Sequence, residues 1–197
     1  NGKGAGEWME CGRSKPVVFL DRDGVLSVEK SYVCSVDELE IFPYAKECVR
    51  TIHEKGYLAI VVTNQSGVAR GYFTEEQLQE MNRYLMRETG VDAVYYCPHH
   101  EKGIVGKYTC QCQCRKPSAG MVWQACRDFG IDTADIENSY MVGDRASDIQ
   151  LGQNAGLTTV LLESGYGMKR LEEDVAPDHI CANLAEFTRN VLLHRHD

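Results

Sequence analysis

The run Val17-Val18-Phe19-Leu20-Asp21-Arg22-Asp23-Gly24 sets the narrowest limits on what this 197-residue chain can fold into. An unbroken apolar stretch rich in branched residues suits a strand buried on both faces, which belongs to a parallel sheet covered by helices. The stretch ends in two carboxylates two positions apart, followed at once by glycine. Alternate residues of a strand share a face, so Asp21 and Asp23 can project together from its carboxyl end, where open α/β sheets hold their ligands. Two acids placed so can divide the work of phosphoryl transfer. One attacks phosphorus and carries the group as an aspartyl phosphate; the other gives a proton to the departing oxygen and later helps a water attack. Gly24 lets the chain turn where a side chain would crowd the site. A solvated turn after a buried strand would use the same residues, so the decision falls to the rest of the chain.

Apolar runs at 17–21, 58–63, 94–97, 139–143, 158–162 and 179–181 alternate with helical patterns, the rhythm of βα units in a parallel sheet. Helices are expected at 45–55, before Gly56, and after Thr74-Glu75-Glu76-Gln77, which has capping-box form. Another is expected to open at Pro117 and run through Met121, Val122, Ala125 and Phe129 to Gly130, with later ones at 146–154 and 184–193. The stretch 100–115 fits neither period and reads as an irregular, cysteine-bearing loop.

A chain of this length fills one core, so 16–197 is expected to form a single domain, with 1–15 a disordered or artificial N-terminal extension. No signal-peptide pattern is seen there, and no apolar run approaches the roughly 20 residues that span a bilayer. With a net charge of −8, a nucleic-acid or anionic-membrane partner is disfavoured. A cytoplasmic monomer acting on a small substrate is the expectation.

Three further strand ends carry chemistry. Thr63-Asn64-Gln65-Ser66-Gly67 offers a hydroxyl and turn amides to a phosphate. Arg115-Lys116-Pro117 supplies an ammonium against phosphoryl oxygens and a guanidinium fork. Gly143-Asp144-Arg145-Ala146-Ser147-Asp148 ends a strand in acid. Asp144, with Asp21 and the backbone carbonyl of Asp23, would suit Mg²⁺; Asp148 could be an outer ligand or favour the helix start.

Nine cysteines, an odd number with three crowded into Cys110-Gln111-Cys112-Gln113-Cys114, point to metal rather than disulfides. Cys97, His99, Cys112 and Cys114 make a closed Cys₃His zinc set, which is structural because no position stays open. Cys110 or His100 could replace a neighbour. Cys11, Cys34, Cys48, Cys126 and Cys181 read as core or surface thiols, and Trp8 and Trp123 as packing residues.

These four motifs in this order resemble the haloacid dehalogenase (HAD) phosphatase superfamily, from Val17 onward. Within it, Asp21-Arg22-Asp23-Gly24, the segment Thr63-Asn64-Gln65-Ser66-Gly67-Val68-Ala69-Arg70-Gly71, Cys97-Pro98-His99-His100 and Cys112-Gln113-Cys114-Arg115-Lys116-Pro117 resemble the heptose 1,7-bisphosphate 7-phosphatase family. The resemblance implies a three-layer Rossmann-like α/β fold with a mostly parallel sheet, no large cap, a zinc loop at 97–114, and catalytic Mg²⁺. It implies Asp21 as nucleophile, Asp23 as general acid/base, Thr63 and Lys116 as phosphoryl stabilisers and Asp144 as magnesium ligand. Substrate contacts are implied for Thr63, Asn64, Gln65, Ser66, Arg115, Lys116 and Arg145, and for the loop Glu29, Lys30, Ser31 and Tyr32. The expected reaction is loss of the 7-phosphate from D-glycero-D-manno-heptose 1,7-bisphosphate, toward nucleotide-activated heptose. Histidinol-phosphate hydrolysis is the alternative, and a zinc-stabilised, non-catalytic binding module the alternative of another class.

Overall fold

The computed structural model describes residues 14–170 and 175–193, so the expectations for 1–13, with Trp8 and Cys11, lie outside the described residues. Among the described residues, six strands form one sheet, parallel at every pairing: β1 (Val17–Leu20), β2 (Leu58–Asn64), β3 (Ala93–Cys97), β4 (Tyr140–Gly143), β5 (Thr158–Leu162) and β6 (His179–Cys181). Their order is β3-β2-β1-β4-β5-β6. The chain steps outward from β1 to β3 and then returns to β4 on the other side of β1, which opens a crevice at the carboxyl ends of β1 and β4.

Helices α1 (Ala45–Glu54), α2 (Glu75–Thr89), α3 (Gly120–Phe129), α4 (Thr133–Glu137), α5 (Ala146–Ala155) and α6 (Leu184–Asn190) cover both faces. The strand period of two explains how. Val18 and Leu20 pack with Ile52 of α1, Leu78 of α2 and Phe187 of α6, whereas Val17 and Phe19 pack with Met121 of α3, Ile136 of α4 and Leu151 of α5. All four β1 side chains are fully buried. The capping box forms as expected: Thr74 Oγ1 accepts the Gln77 N–H and Gln77 Oε1 accepts the Thr74 N–H, contributing about 1 kcal/mol.

Three details differ from the expected elements. The α3 helix starts at Gly120 rather than Pro117, because Ser118 N–H bonds back to Arg115 C=O and Gly120 N–H to Gln113 C=O, folding this stretch against the cysteine loop. A Cβ on Gly120 would lie 2.1 Å from the Gln113 oxygen, so only glycine permits that approach. Helix α4 is short enough to escape periodicity; its start is capped by Asp132, whose carboxylate accepts the Asp135 N–H. Helix α6 stops at Asn190, where the Lys55 ammonium takes the carbonyls of Thr188 and Leu192.

Candidate active site and metal centre

The ladder continues one residue past β1, through Asp21 N–H to Val142 C=O (3.0 Å), which holds the Asp21 backbone rigid at the crevice. Its Oδ1 lies 3.1 Å from Lys116 Nζ, and the ammonium also meets Asp148 Oδ1 at 2.7 Å and Val62 C=O at 2.9 Å. Burial alone would push the Lys116 ammonium down, but Asp148 and Asp21 outweigh it and hold it above its usual value. Asp148 is fully buried, and its Oδ2 accepts the N–H groups of Asp144 and Arg145 at the start of α5. Asp148 thus anchors the lysine and the helix start, and it also offers an oxygen to the carboxylate cluster it forms with Asp21 and Asp144. Asn64 acts similarly: its amide bonds the backbone N–H and C=O of Lys116 (3.0 and 3.2 Å).

Asp23 is gripped by the Arg22 guanidinium through both oxygens (3.1 and 3.0 Å), and Gln65 Nε2 donates to it at 3.1 Å. The same Gln65 amide donates to Thr63 Oγ1 at 2.9 Å, leaving the threonine hydroxyl proton for another acceptor. An open cleft of about 360 Å³ sits above these groups. Asp21, Asp23, Asn64, Gln65, Ser66, Arg115 and Lys116 line one part of it; Glu29, Ser31, Tyr32 and Arg145 line the wall. Arg115 Nη1 is buried with no protein partner among the described residues, which leaves a donor for an anion.

The carboxylates of Asp21, Asp144 and Asp148 offer oxygens within 4.8 Å of one another. Asp144 Oδ2 accepts the Tyr166 N–H, but its buried Oδ1 has no protein partner among the described residues. A Cβ at Gly24 or at Gly165 would stand 2.4 or 2.1 Å from Asp144 Oδ2, so the two glycines shape its cradle. Burial chiefly pushes Asp21 up to about 7, with Lys116 opposing and Asp148 and Asp23 adding to it; burial, then Asp21 and Asp148, pushes Asp144 up to about 8. Crowded, desolvated acids with an orphaned oxygen fit a hard divalent cation.

The second cluster forms at the carboxyl end of β3. Cys97, His99, Cys112 and Cys114 bring their ligand atoms together, with contacts of 3.1 to 3.6 Å. A tetrahedral zinc site with standard bonds has edges of roughly 3.5–3.8 Å, so the residues fit the ion. Contact with Cys97 chiefly, and then with His99 and Cys112, brings the Cys114 thiol down to about 5. The open question over neighbours is answered by placement: Cys110 is exposed, and His100 turns to Arg70 (3.3 Å) and the Lys102 N–H (3.0 Å), so neither joins the cluster. The loop is also docked on its surroundings, through Ile104 and Val105 N–H groups to Ala69 C=O and Tyr108 OH to Glu75.

The HAD-hydrolase-like family profile matches residues 113–187. The D-glycero-beta-D-manno-heptose-1,7-bisphosphate 7-phosphatase of Haemophilus ducreyi is 44% identical over 158 residues, covering 77% of this chain and 85% of that protein. The enzyme of the same name from Yersinia pestis is 38% identical over 91% of this chain and 96% of its own. The chain belongs to the heptose bisphosphate phosphatase family. Among solved structures, the D,D-heptose 1.7-bisphosphate phosphatase of B. bronchiseptica, complexed with magnesium and phosphate, superposes with a TM-score of 0.74 at 30% identity, over 88% of this chain and 96% of that one. Membership of this heptose bisphosphate phosphatase family accords with the α/β architecture and the strand-end motifs.

Of the residues expected to touch substrate, Thr63 and Lys30 do not line the cleft: Thr63 is buried beneath Gln65, and Lys30 is turned away. Its ammonium pairs with Glu40 at 2.9 Å and with Glu38 C=O, because the loop after β1 runs back along 38–40. Sequence reasoning missed Arg22, Ser147 and Tyr166. Arg22 had a signal, since a cation between two acids at the end of a buried strand must find its partners locally. Tyr166, beyond β5, had none.

Proposed function

We propose that this chain is a Mg²⁺-dependent phosphomonoesterase that removes the 7-phosphate of D-glycero-β-D-manno-heptose 1,7-bisphosphate. The observation that carries it is the buried Asp21–Lys116–Asp148 chain beside Asp144, in a family whose curated relatives bear that name. Asp21 attacks phosphorus as the bond from phosphorus to the sugar oxygen breaks, and Asp23 gives that oxygen a proton. Asp23 then takes a proton from a water that attacks the aspartyl phosphate, which frees inorganic phosphate and restores Asp21. Lys116 and the Thr63 hydroxyl meet the charge on the phosphoryl oxygens. Asp21, Asp144 and the Asp23 backbone carbonyl would hold Mg²⁺, which would supply positive charge against those oxygens. Zinc on Cys97, His99, Cys112 and Cys114 pins the loop that leads into Arg115 and Lys116. A reducing, cytoplasmic setting suits the absence of disulfides among the described cysteines.

A turnover screen with Mg²⁺ over α- and β-heptose 1,7-bisphosphates, fructose 1,6-bisphosphate and histidinol phosphate tests the assignment. The β-heptose bisphosphate should show the highest kcat/KM; a large preference for histidinol phosphate would overturn it.

A further inference from the structure

The loop 29–32 holds a strained turn that the reaction steps do not use. Ser31 is the one non-glycine residue with positive φ (65°) among the described residues, and the Tyr32 N–H bonds to Lys30 C=O across it at 2.8 Å. A bond from i+2 to i over such a residue has the form of the rarer, strained γ-turn, which persists only where its surroundings over-determine it. Glu29 supplies the restraint: its Oε1 accepts the Ser31 N–H at 2.6 Å. Its Oε2 accepts from Arg145 Nη2 at 3.0 Å, and the Arg145 guanidinium carbon stands 4.4 Å from the Tyr166 ring centroid. The Arg145 side chain is 43% exposed against 2% for Lys116, so its guanidinium lies nearer the cleft mouth than the lysine ammonium does.

Ser31 N–H on one oxygen and Arg145 on the other fix the Glu29 carboxylate in a single pose and tie the guanidinium to the loop. We propose that Glu29 is a positioning residue for the non-reacting end of the substrate, holding Arg145 in the pose that meets the second phosphate. The proposal rests on the bisphosphate reading above. An arginine free to sample its rotamers must be ordered at each binding event, which weakens binding rather than chemistry.

The test compares Glu29→Gln, Arg145→Met and the double variant in the full chain, on heptose 1,7-bisphosphate and on an aryl phosphate that has no second phosphate. Glu29→Gln should raise KM for the bisphosphate about ten-fold and lower kcat less than about three-fold, with a smaller KM effect on the aryl phosphate. It should add little in the Arg145→Met background. Nitrogen-15 NMR gives a readout independent of substrate: the guanidinium signals of Arg145, separate in the parent, should merge in Glu29→Gln. Penalties that multiply in the double variant, equal kcat losses on both substrates, or unchanged Arg145 signals would each overturn the proposal. If Glu29→Gln fails to fold, Glu29→Asp, one methylene short of Arg145, carries the same measurements. A parent that cleaves the aryl phosphate but not the bisphosphate removes the substrate reading, and with it the second-phosphate role.

Discussion

Replacing Asp148 by asparagine isolates the anchor of the catalytic lysine. The change keeps the shape, which matters because the Asp148 side chain fills the space where a Cβ on Gly143 would stand, 2.3 Å from Oδ2. What it removes is charge. Asp148 makes a 2.7 Å ion pair with Lys116 and accepts two backbone N–H groups at 3.2 and 3.1 Å. An asparagine has one carbonyl oxygen for these three donors. Losing one partner of a buried ion pair costs about 3–5 kcal/mol, and Lys116 keeps Asp21 at 3.1 Å, so the lower end, about 3 kcal/mol, is expected. Freed from its clamp, the ammonium loses its aim at the phosphoryl oxygens, a loss of about 10²-fold in kcat by analogy with removing one preorganised donor. Urea unfolding gives the first quantity and phosphate release under saturating substrate the second. A variant within about 1 kcal/mol of the parent, with kcat within about three-fold, would refute the reasoning.

Purified without chelator, the chain should hold about one zinc, and Cys114→Ser should lower Tm by about 10 °C or more and reduce kcat, since Arg115 and Lys116 follow directly; zinc-free protein with an unchanged Tm would reject the site. Metal removal should also expose the crowded acids. Asp21 and Asp144 titrate near 7 and 8 when folded against 3.8 for a free aspartate, so the folded state binds protons more tightly and chelator-treated protein should lose stability as pH rises from about 4 to 8. Mg²⁺ should then raise Tm more at pH 8 than at pH 6, and a metal-free Tm that climbs over this range would contradict the account.

The parts legible in the sequence are those encoded locally. Val17–Leu20 shows its burial by composition and its ligand end by Asp21, and Thr74 with Gln77 writes its own cap. Pairings between distant residues were not legible, because no period links Glu29 to Arg145, or Asp148 to Lys116 across an irregular loop. Lys30 shows the converse: proximity in the chain to Glu29 suggested the cleft, but Glu40 was nearer in space. Pro117 carried a helix-start signal that the Arg115 and Gln113 carbonyls overrode.

The central claim is that the side chain of Asp21 bonds covalently to phosphorus. A crystal structure of the Mg²⁺-loaded protein with beryllium trifluoride tests it most directly. The account predicts beryllium bonded to an Asp21 carboxylate oxygen, with its fluorines facing Lys116 and Thr63. The analogue bound elsewhere in the cleft, with Asp21 unmodified, would contradict it.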